Sequence, residues 1–213
     1  MILNITNGDA FNRYYLSKFD GEAIPFREAM MDGEGSPEIF SSNFISLRSS
    51  SLGISEEEYR ANMLVPDALM NNKYDEIALW FGKDTFCQMN LLTLLAYLEQ
   101  IAYGGKVILN YIDDETFEVV EADINIELGF YNDIYEKIIL GKQRADNLGV
   151  LSRKAIDLYF DYHSKNGVLS KIVSENLNRE ENELIALLLE SSREYGLSDI
   201  QAKKIIERNK KDG

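Results

Sequence analysis

Two aspartates, Asp9 and Asp84, offer the clearest prospect of chemistry in this sequence. Each follows a short apolar run and directly precedes a stretch whose apolar residues recur at helical spacing. In open α/β sheets such strand-to-helix junctions lie at the carboxyl ends of the strands, where ligands bind. If the two strands are neighbours in a parallel sheet, both carboxylates reach one crevice. The alternative is that each aspartate is an ordinary helix N-cap.

Residues beside the first junction would complete a site for an anionic ligand. Asn7 and Gly8 would let the backbone approach a ligand closely, and the following helix would offer its free N–H groups to an anion. Arg27, with Glu28 beside it, could clamp a phosphate or carboxylate through two N–H groups. The ligand predicted from these residues is a nucleotide or another phosphorylated or carboxylated metabolite.

Three residues near the second junction each allow two interpretations. Trp80 lies at the end of a predicted strand, where it could stack on a flat ligand or pack in the core. Lys83 is either directed into the crevice or is a solvated turn residue. Cys87 lies in the first turn of a predicted helix, so its thiol either has a lowered pKa or is buried and inert.

Residue counts exclude several kinds of site. One cysteine and one histidine cannot build a structural zinc site of the Cys/His kind, and neither a Gly-x-Gly-x-x-Gly nor a Walker-type loop is present. His163 shares a helical face with Ile156 and Tyr159, which predicts packing and not base catalysis. Carboxylates, with Mg²⁺ as an available cofactor, remain the tools for any reaction. The sequence does not decide whether the protein is an enzyme.

The elements around these residues predict an α/β fold. Residues 77–81 form a continuous apolar run typical of a buried parallel strand, and a leucine-rich helix follows them. Residues 106–112 predict another strand, and 116–120 and 124–130 two more. From about Ser152 onward only helical patterns occur. We expect a mainly parallel, Rossmann-like ligand-binding domain over residues 1–148, followed by a small all-α domain over residues 149–213.

The net charge of −14 restricts the partners. An acidic chain is repelled by nucleic-acid backbones and anionic membranes, although the simplest interpretation is a solvated surface that aids solubility. The lone cysteine and the lack of a basic n-region at the N-terminus predict a cytoplasmic protein. No apolar segment has the length and the lack of charged residues that a membrane span needs.

The C-terminal helices suggest a second class of function. Residues 178–209 loosely follow a helix-turn-helix pattern, and residues 198–213 carry five basic and three acidic side chains. A non-catalytic regulatory or interaction protein, with these helices contacting nucleic acid or a partner protein, is therefore the alternative hypothesis. A helical lid or a homodimer surface would explain the same helices.

Three short stretches together resemble the bacterial family named domain of unknown function 1835. They are Ile5-Thr6-Asn7-Gly8-Asp9, Ile24-Pro25-Phe26-Arg27-Glu28, and Leu79-Trp80-Phe81-Gly82-Lys83-Asp84 with Gln88. The family shows tryptophan at the position of Phe26, aspartate at Glu28 and Glu-His at Gly82-Lys83, so a histidine of the relatives is a lysine here. The resemblance covers the N-terminal half and implies no activity.

Overall fold

A computed structural model of the chain describes residues 1–70 and 73–212, with the backbone alone at residues 211 and 212. The strands are β1 (Ile2–Asn7), β2 (Glu22–Phe26), β3 (Glu76–Phe81), β4 (Lys106–Ile112) and β5 (Val119–Ile126). The helices are α1 (Asp9–Lys18), α2 (Ser42–Leu52), α3 (Glu56–Asn62), α4 (Leu64–Met70), α5 (Thr85–Gln100), α6 (Tyr131–Tyr135), α7 (Arg153–His163), α8 (Val168–Glu175), α9 (Glu181–Ser191) and α10 (Asp199–Asp212). A π-helical turn (Glu136–Leu140) follows α6, and a 3-10 turn (Arg193–Tyr195) follows α9.

The strands form one mostly parallel sheet in the order β2-β1-β3-β4-β5. The first four strands are parallel, with Ile5 of β1 opposite Ile24 of β2 on one side and Leu79 of β3 on the other. The edge strand β5 is antiparallel to β4. The predicted α/β fold with a mainly parallel sheet and a helical C-terminal part is confirmed.

One face of this sheet is the centre of the core. Leu3 and Ile5 of β1 and Ile77, Leu79 and Phe81 of β3 share that face, and all five side chains have no exposed surface. They share it because alternate residues of a strand point to the same side. The leucines of α5 are also fully buried, as the predicted apolar helix requires: Leu91, Leu92, Leu94, Leu95 and Leu98.

The chain divides into two compact units. The first comprises residues 1–83 and 87–151 and contains the sheet. The second comprises residues 84–86 and 152–213 and contains α7 to α10. Residues 84–86, which include the first two residues of α5, therefore belong to the second unit. In the described ranges, no helix combines the length and the apolar character needed to cross a bilayer.

Beyond β4 the sequence prediction of two strands is wrong. The structure has the single strand β5, which covers parts of both predicted segments. The Asp113 carboxylate accepts hydrogen bonds from the N–H groups of Glu115 and Thr116, at 3.0 and 2.8 Å. This aspartate turn takes residue 116 out of the strand and brings the chain back beside β4.

Helix starts in the second unit depend on contacts that the local pattern does not reveal. The residues Asn178-Arg179-Glu180-Glu181 have the spacing of a capping box, but α9 starts after Glu180 without a side-chain cap. Helix α8 was not predicted, and its start is stabilised by Asp161, whose carboxylate accepts the Val168 N–H at 3.0–3.1 Å. In the first unit, by contrast, the local pattern suffices at α3, where Ser55 is the N-cap and its Oγ accepts the Glu58 N–H at 3.1 Å.

Candidate functional site

The carboxyl ends of β1 and β3 lie side by side. The two strands are adjacent and parallel, as the shared crevice requires. From β1 the chain continues to β2 on one side, and from β3 it continues to β4 on the other. The order therefore reverses between β1 and β3, and this switch point is where open α/β sheets leave a crevice for ligands.

Gly8, and not Asp9, is the N-cap residue of α1. Its φ of 81° and ψ of 177° fall in a region that is essentially restricted to glycine, and it supplies no side-chain cap. A Cβ placed on Gly8 would have no heavy atom within 4 Å, so the space beside it is open. Asp9 is the first residue of the helix, which makes the N-cap interpretation of Asp9 wrong. The first turn of α1 is thus uncapped by a side chain at its N-cap.

Asp9 forms an ion pair with Arg27. The Arg27 Nε lies 3.0 and 3.1 Å from the two Asp9 oxygens, and Nη2 lies 2.9 Å from Oδ1. Arg27 Nη1 donates to the Asn62 carbonyl at 3.0 Å. Hydrogen bonding to Arg27 holds the pKa of Asp9 below its usual range, against a smaller opposing effect of burial. Because about half of the Asp9 side chain is exposed, an added anion could compete for the same guanidinium.

Asn7, the last residue of β1, contacts two residues of α5. Its Nδ2 donates to Cys87 Sγ at 2.7 Å, and its Oδ1 accepts from Asn90 Nδ2 at 3.0 Å. Cys87 Sγ in turn lies 3.5 Å from Oδ1 of the exposed Asp114. Cys87 is only 3% exposed, as the interpretation of a buried thiol predicts. Asn7, Cys87 and Asp114 therefore form a connected polar cluster at this edge of the sheet.

Sequence reasoning missed Asn90 and Asp114. Asn90 interrupts the leucine-rich face of α5 and is fully buried, and a polar residue in such a face is a signal in itself. Asp114 follows β4, so the rule that selected Asp9 would have selected it too. A Cβ on Gly82 would lie 1.8 Å from Asp114 Oδ2. The glycine after β3 therefore makes room for this carboxylate.

Lys83 and Gln88 support the loop after β3 in different ways. Lys83 Nζ pairs with Glu121 of β5 at 2.9 Å and lies 4.6 Å from the centre of the Tyr111 ring. Burial, as the main cause, raises the pKa of Tyr111 to about 12. Gln88 is fully buried and donates from Nε2 to the Gly82 carbonyl at 2.8 Å. Both side chains already have partners that stabilise this part of the first unit.

Glu28 belongs to a buried network. One of its oxygens accepts from Nε and Nη2 of Arg48 at 3.0 and 2.8 Å, and the other accepts from the Tyr59 hydroxyl. Glu28 is 2% exposed and Arg48 has no exposed surface. Burial, with the nearby Glu28 carboxylate, raises the pKa of Tyr59. Both carboxylate oxygens are thus used inside the fold, which gives Glu28 a structural role.

Trp80 packs in an aromatic cluster. Its ring centre lies 5.9 Å from that of Phe11, 5.4 Å from that of Tyr15 and 6.3 Å from that of Phe19. Its Nε1 donates to Asn4 Oδ1 at 3.0 Å. These contacts fit the packing interpretation of this partly buried tryptophan, and its indole N–H has a hydrogen-bond partner.

Asp84 directly precedes α5 and belongs to the second unit. A Cβ on Gly196 would lie 2.2 Å from Asp84 Oδ1, so the carboxylate packs closely against that glycine. The adjacent Thr85 donates from Oγ1 to the Glu194 carbonyl at 3.2 Å. These contacts attach residues 84–86 to the turn at residues 193–196. That Asp9 and Asp84 share one crevice stays a prediction.

His163 makes edge-to-face ring contacts with Tyr159 and Tyr162, with ring centres 4.6 and 5.0 Å apart. This is the packing role that its helical face predicts.

No protein-family model, curated protein or solved structure gave a significant match to the chain.

Proposed function

We propose that the protein binds a nucleotide or another phosphorylated or carboxylated metabolite at the carboxyl edge of its sheet. One observation carries this proposal. The three sequence stretches that resemble domain of unknown function 1835 end β1, β2 and β3, which are neighbours in the order β2-β1-β3. Motifs far apart in the chain thus meet at one edge, over the switch point where ligands bind in such sheets. Membership of that family is part of the proposal.

The start of α1 supplies the anion-binding element. Its first-turn N–H groups and the helix dipole favour negative charge, and the open space at Gly8 admits a ligand to the backbone. The Asn7 amide lies at the same edge. Arg27 would shift one side of its guanidinium from Asp9 to the ligand, since an exposed ion pair contributes only about 0–1 kcal/mol.

Mg²⁺ would remove the repulsion between the ligand and the acidic residues at this edge. The carboxylates of Asp9 and Asp114 offer the oxygen atoms that Mg²⁺ prefers, whereas the Cys87 thiol is a poor ligand for it. A cytoplasmic location belongs to the proposal and is supported by the cysteine count, because a sequence with one cysteine cannot form an intramolecular disulfide.

A thermal-shift screen of nucleotides and sugar phosphates, with and without MgCl₂, tests this proposal. A ligand at 100 times its Kd adds about 2.7 kcal/mol, which corresponds to roughly 5–10 °C for a chain of this size. Asn7→Ala should reduce the shift, and Asp9→Asn should reduce the part of the shift that requires MgCl₂, because Asp9 would ligate Mg²⁺ but competes with the ligand for Arg27. Asp20→Asn removes the same charge as Asp9→Asn, lies exposed after the far end of α1 and should not alter binding.

Two results would contradict the proposal. In the first, no compound stabilises the wild-type protein at any Mg²⁺ concentration. In the second, a compound stabilises the wild type and its effect is unchanged in Asn7→Ala, Asp9→Asn and a Gly8→Ala variant. The second result would place the ligand elsewhere and leave the edge of the sheet without a function.

A further inference from the structure

A small basic pocket lies in the second unit, among α7, α8 and α10. It has a volume of about 240 Å³ and is lined by Lys165, Ser170, Arg208 and Asn209. Among the residues whose side chains the structure describes, the lining carries two cationic side chains and no carboxylate. The positive charge of this concave site contrasts with the net charge of −14 of the chain. The lining chemistry is complementary to an anion.

Arg208 is held in place from one side of its guanidinium. Its Nη2 donates to the Tyr162 carbonyl at 2.9 Å and to Ser170 Oγ at 3.4 Å. The guanidinium carbon lies 5.8 Å from the centre of the Tyr162 ring. Among the residues that the structure describes, Nε and Nη1 make no hydrogen bond, so three N–H donors remain for a ligand. The Arg208 guanidinium is thus preorganised and keeps N–H donors for a ligand.

Two neutral side chains complete the lining. Ser170 is 3% exposed, and its Oγ donates to the Ser164 carbonyl at 3.2 Å while it accepts from Arg208. Asn209 Nδ2 donates to the Ile205 carbonyl at 2.8 Å, which orients the amide along α10. The polar atoms are therefore fixed by the backbone of their own unit and need not reorganise when a ligand enters.

We propose that this pocket binds the phosphate group of a small phosphorylated molecule. A fixed guanidinium edge beside a lysine matches several phosphate oxygens, whereas one carboxylate would use only part of the donor set. Nucleic acid is the less favoured source of the phosphate, because a long polyanion would be repelled by the rest of this acidic chain. The pocket is independent of the proposed site at the sheet edge, which lies in the other unit.

A titration with inorganic phosphate at constant ionic strength, followed by ¹H–¹⁵N NMR, tests this proposal. We expect saturable shifts of the Arg208 Nε–H and of backbone amides at residues 164–170 and 205–209. Arg208→Gln should weaken phosphate binding at least tenfold and Lys165→Gln severalfold. Lys171→Gln is the matched control, because it removes the same charge from an exposed position on α8 and should change the affinity less than twofold.

Further ligands in the same titration distinguish the sources of the phosphate. Glycerol 3-phosphate should bind at least as tightly as inorganic phosphate, and acetate at least tenfold more weakly. Binding of duplex DNA that exceeds phosphate binding, falls steeply with salt and weakens equally in Lys171→Gln would overturn the proposal in favour of a nucleic-acid surface. Chemical shifts that do not saturate with phosphate would also overturn it. Wild-type phosphate affinity in both Arg208→Gln and Lys165→Gln would do the same. Lys165→Gln keeps the test decisive if Arg208→Gln unfolds, since Lys165 lies between α7 and α8.

Discussion

Arg27 and Glu28 are consecutive in the chain, yet their charges enter opposite environments. Arg27 pairs with Asp9 at the edge of the sheet, where 31% of the arginine side chain and 48% of the aspartate side chain are exposed. Glu28 pairs with Arg48 where both side chains are fully buried. The first pair is available to a ligand, and the second is part of the architecture that supports it.

The physical difference is the cost of desolvation. Water screens the Asp9–Arg27 pair and can replace either partner, so separating the two ions costs little. Glu28 and Arg48 have lost their water, and each charge is stabilised only by the other and by hydrogen bonds from the protein. Arg48 Nη1 also donates to the Asp32 carbonyl at 2.6 Å, and Nη2 donates to the Ala29 carbonyl at 3.0 Å. The buried Glu28–Arg48 pair thus holds the loop after β2 in place.

The largest effect should come from breaking the buried pair. Arg48→Met leaves the Glu28 carboxylate buried and uncompensated, so we expect a loss of about 3–5 kcal/mol in the free energy of unfolding. Urea denaturation followed by the fluorescence of Trp80, the sole tryptophan, reports on the first unit. The double variant Glu28→Leu/Arg48→Met should recover at least half of the loss. A single-variant loss below about 1 kcal/mol would mean that water reaches this network.

A smaller effect should come from the third member of the network. Tyr59→Phe removes the hydroxyl that donates to Glu28 and leaves one buried oxygen with fewer partners. We expect a loss of about 1–3 kcal/mol by the same urea measurement. Tyr14→Phe is the control, because the Tyr14 hydroxyl makes no hydrogen bond among the described residues, and it should change stability by less than about 0.5 kcal/mol. Equal losses in both variants would remove the distinction between buried and exposed polar groups.

The smallest effect should come from the exposed pair, and it should depend on pH. Asp9→Asn should cost about 0–1 kcal/mol near neutral pH, because the pair is partly solvated. The pKa of Asp9 is lower in the folded protein than in the unfolded chain, so the stabilisation is present above about pH 4 and is lost as the pH falls through the folded value. Urea midpoints from pH 2 to 7 should therefore converge for wild type and Asp9→Asn at the acid end. A difference that grows on acidification would contradict this sign.

Elements with a strong local signal were predictable. The apolar run of β3 and the leucine periodicity of α5 each specify one conformation without help from distant residues. Right-handed crossovers place strand ends at a common edge, so the common edge of the β1 and β3 ends also followed from the pattern, whereas their adjacency came from the structure. The bounds of strand β5 did not follow from the pattern. Its local strand signal is weak, and the Asp113 turn and the pairing with β4 decide where the strand lies.

The sequence by itself determined the strongly patterned elements, such as β3 and α5, and the edge of the sheet that the polar turns occupy, since periodicity and turn chemistry act within a few residues. Only the tertiary structure decided what each charged or polar side chain contacts. Arg27 and Glu28 look alike as candidates in the sequence, but Arg48, 20 residues away, buries one of them. Arg208 and Lys165 come together in the same way, from segments far apart in the chain. Local patterns do not encode such partners, because hydrogen bonding and desolvation depend on three-dimensional neighbours.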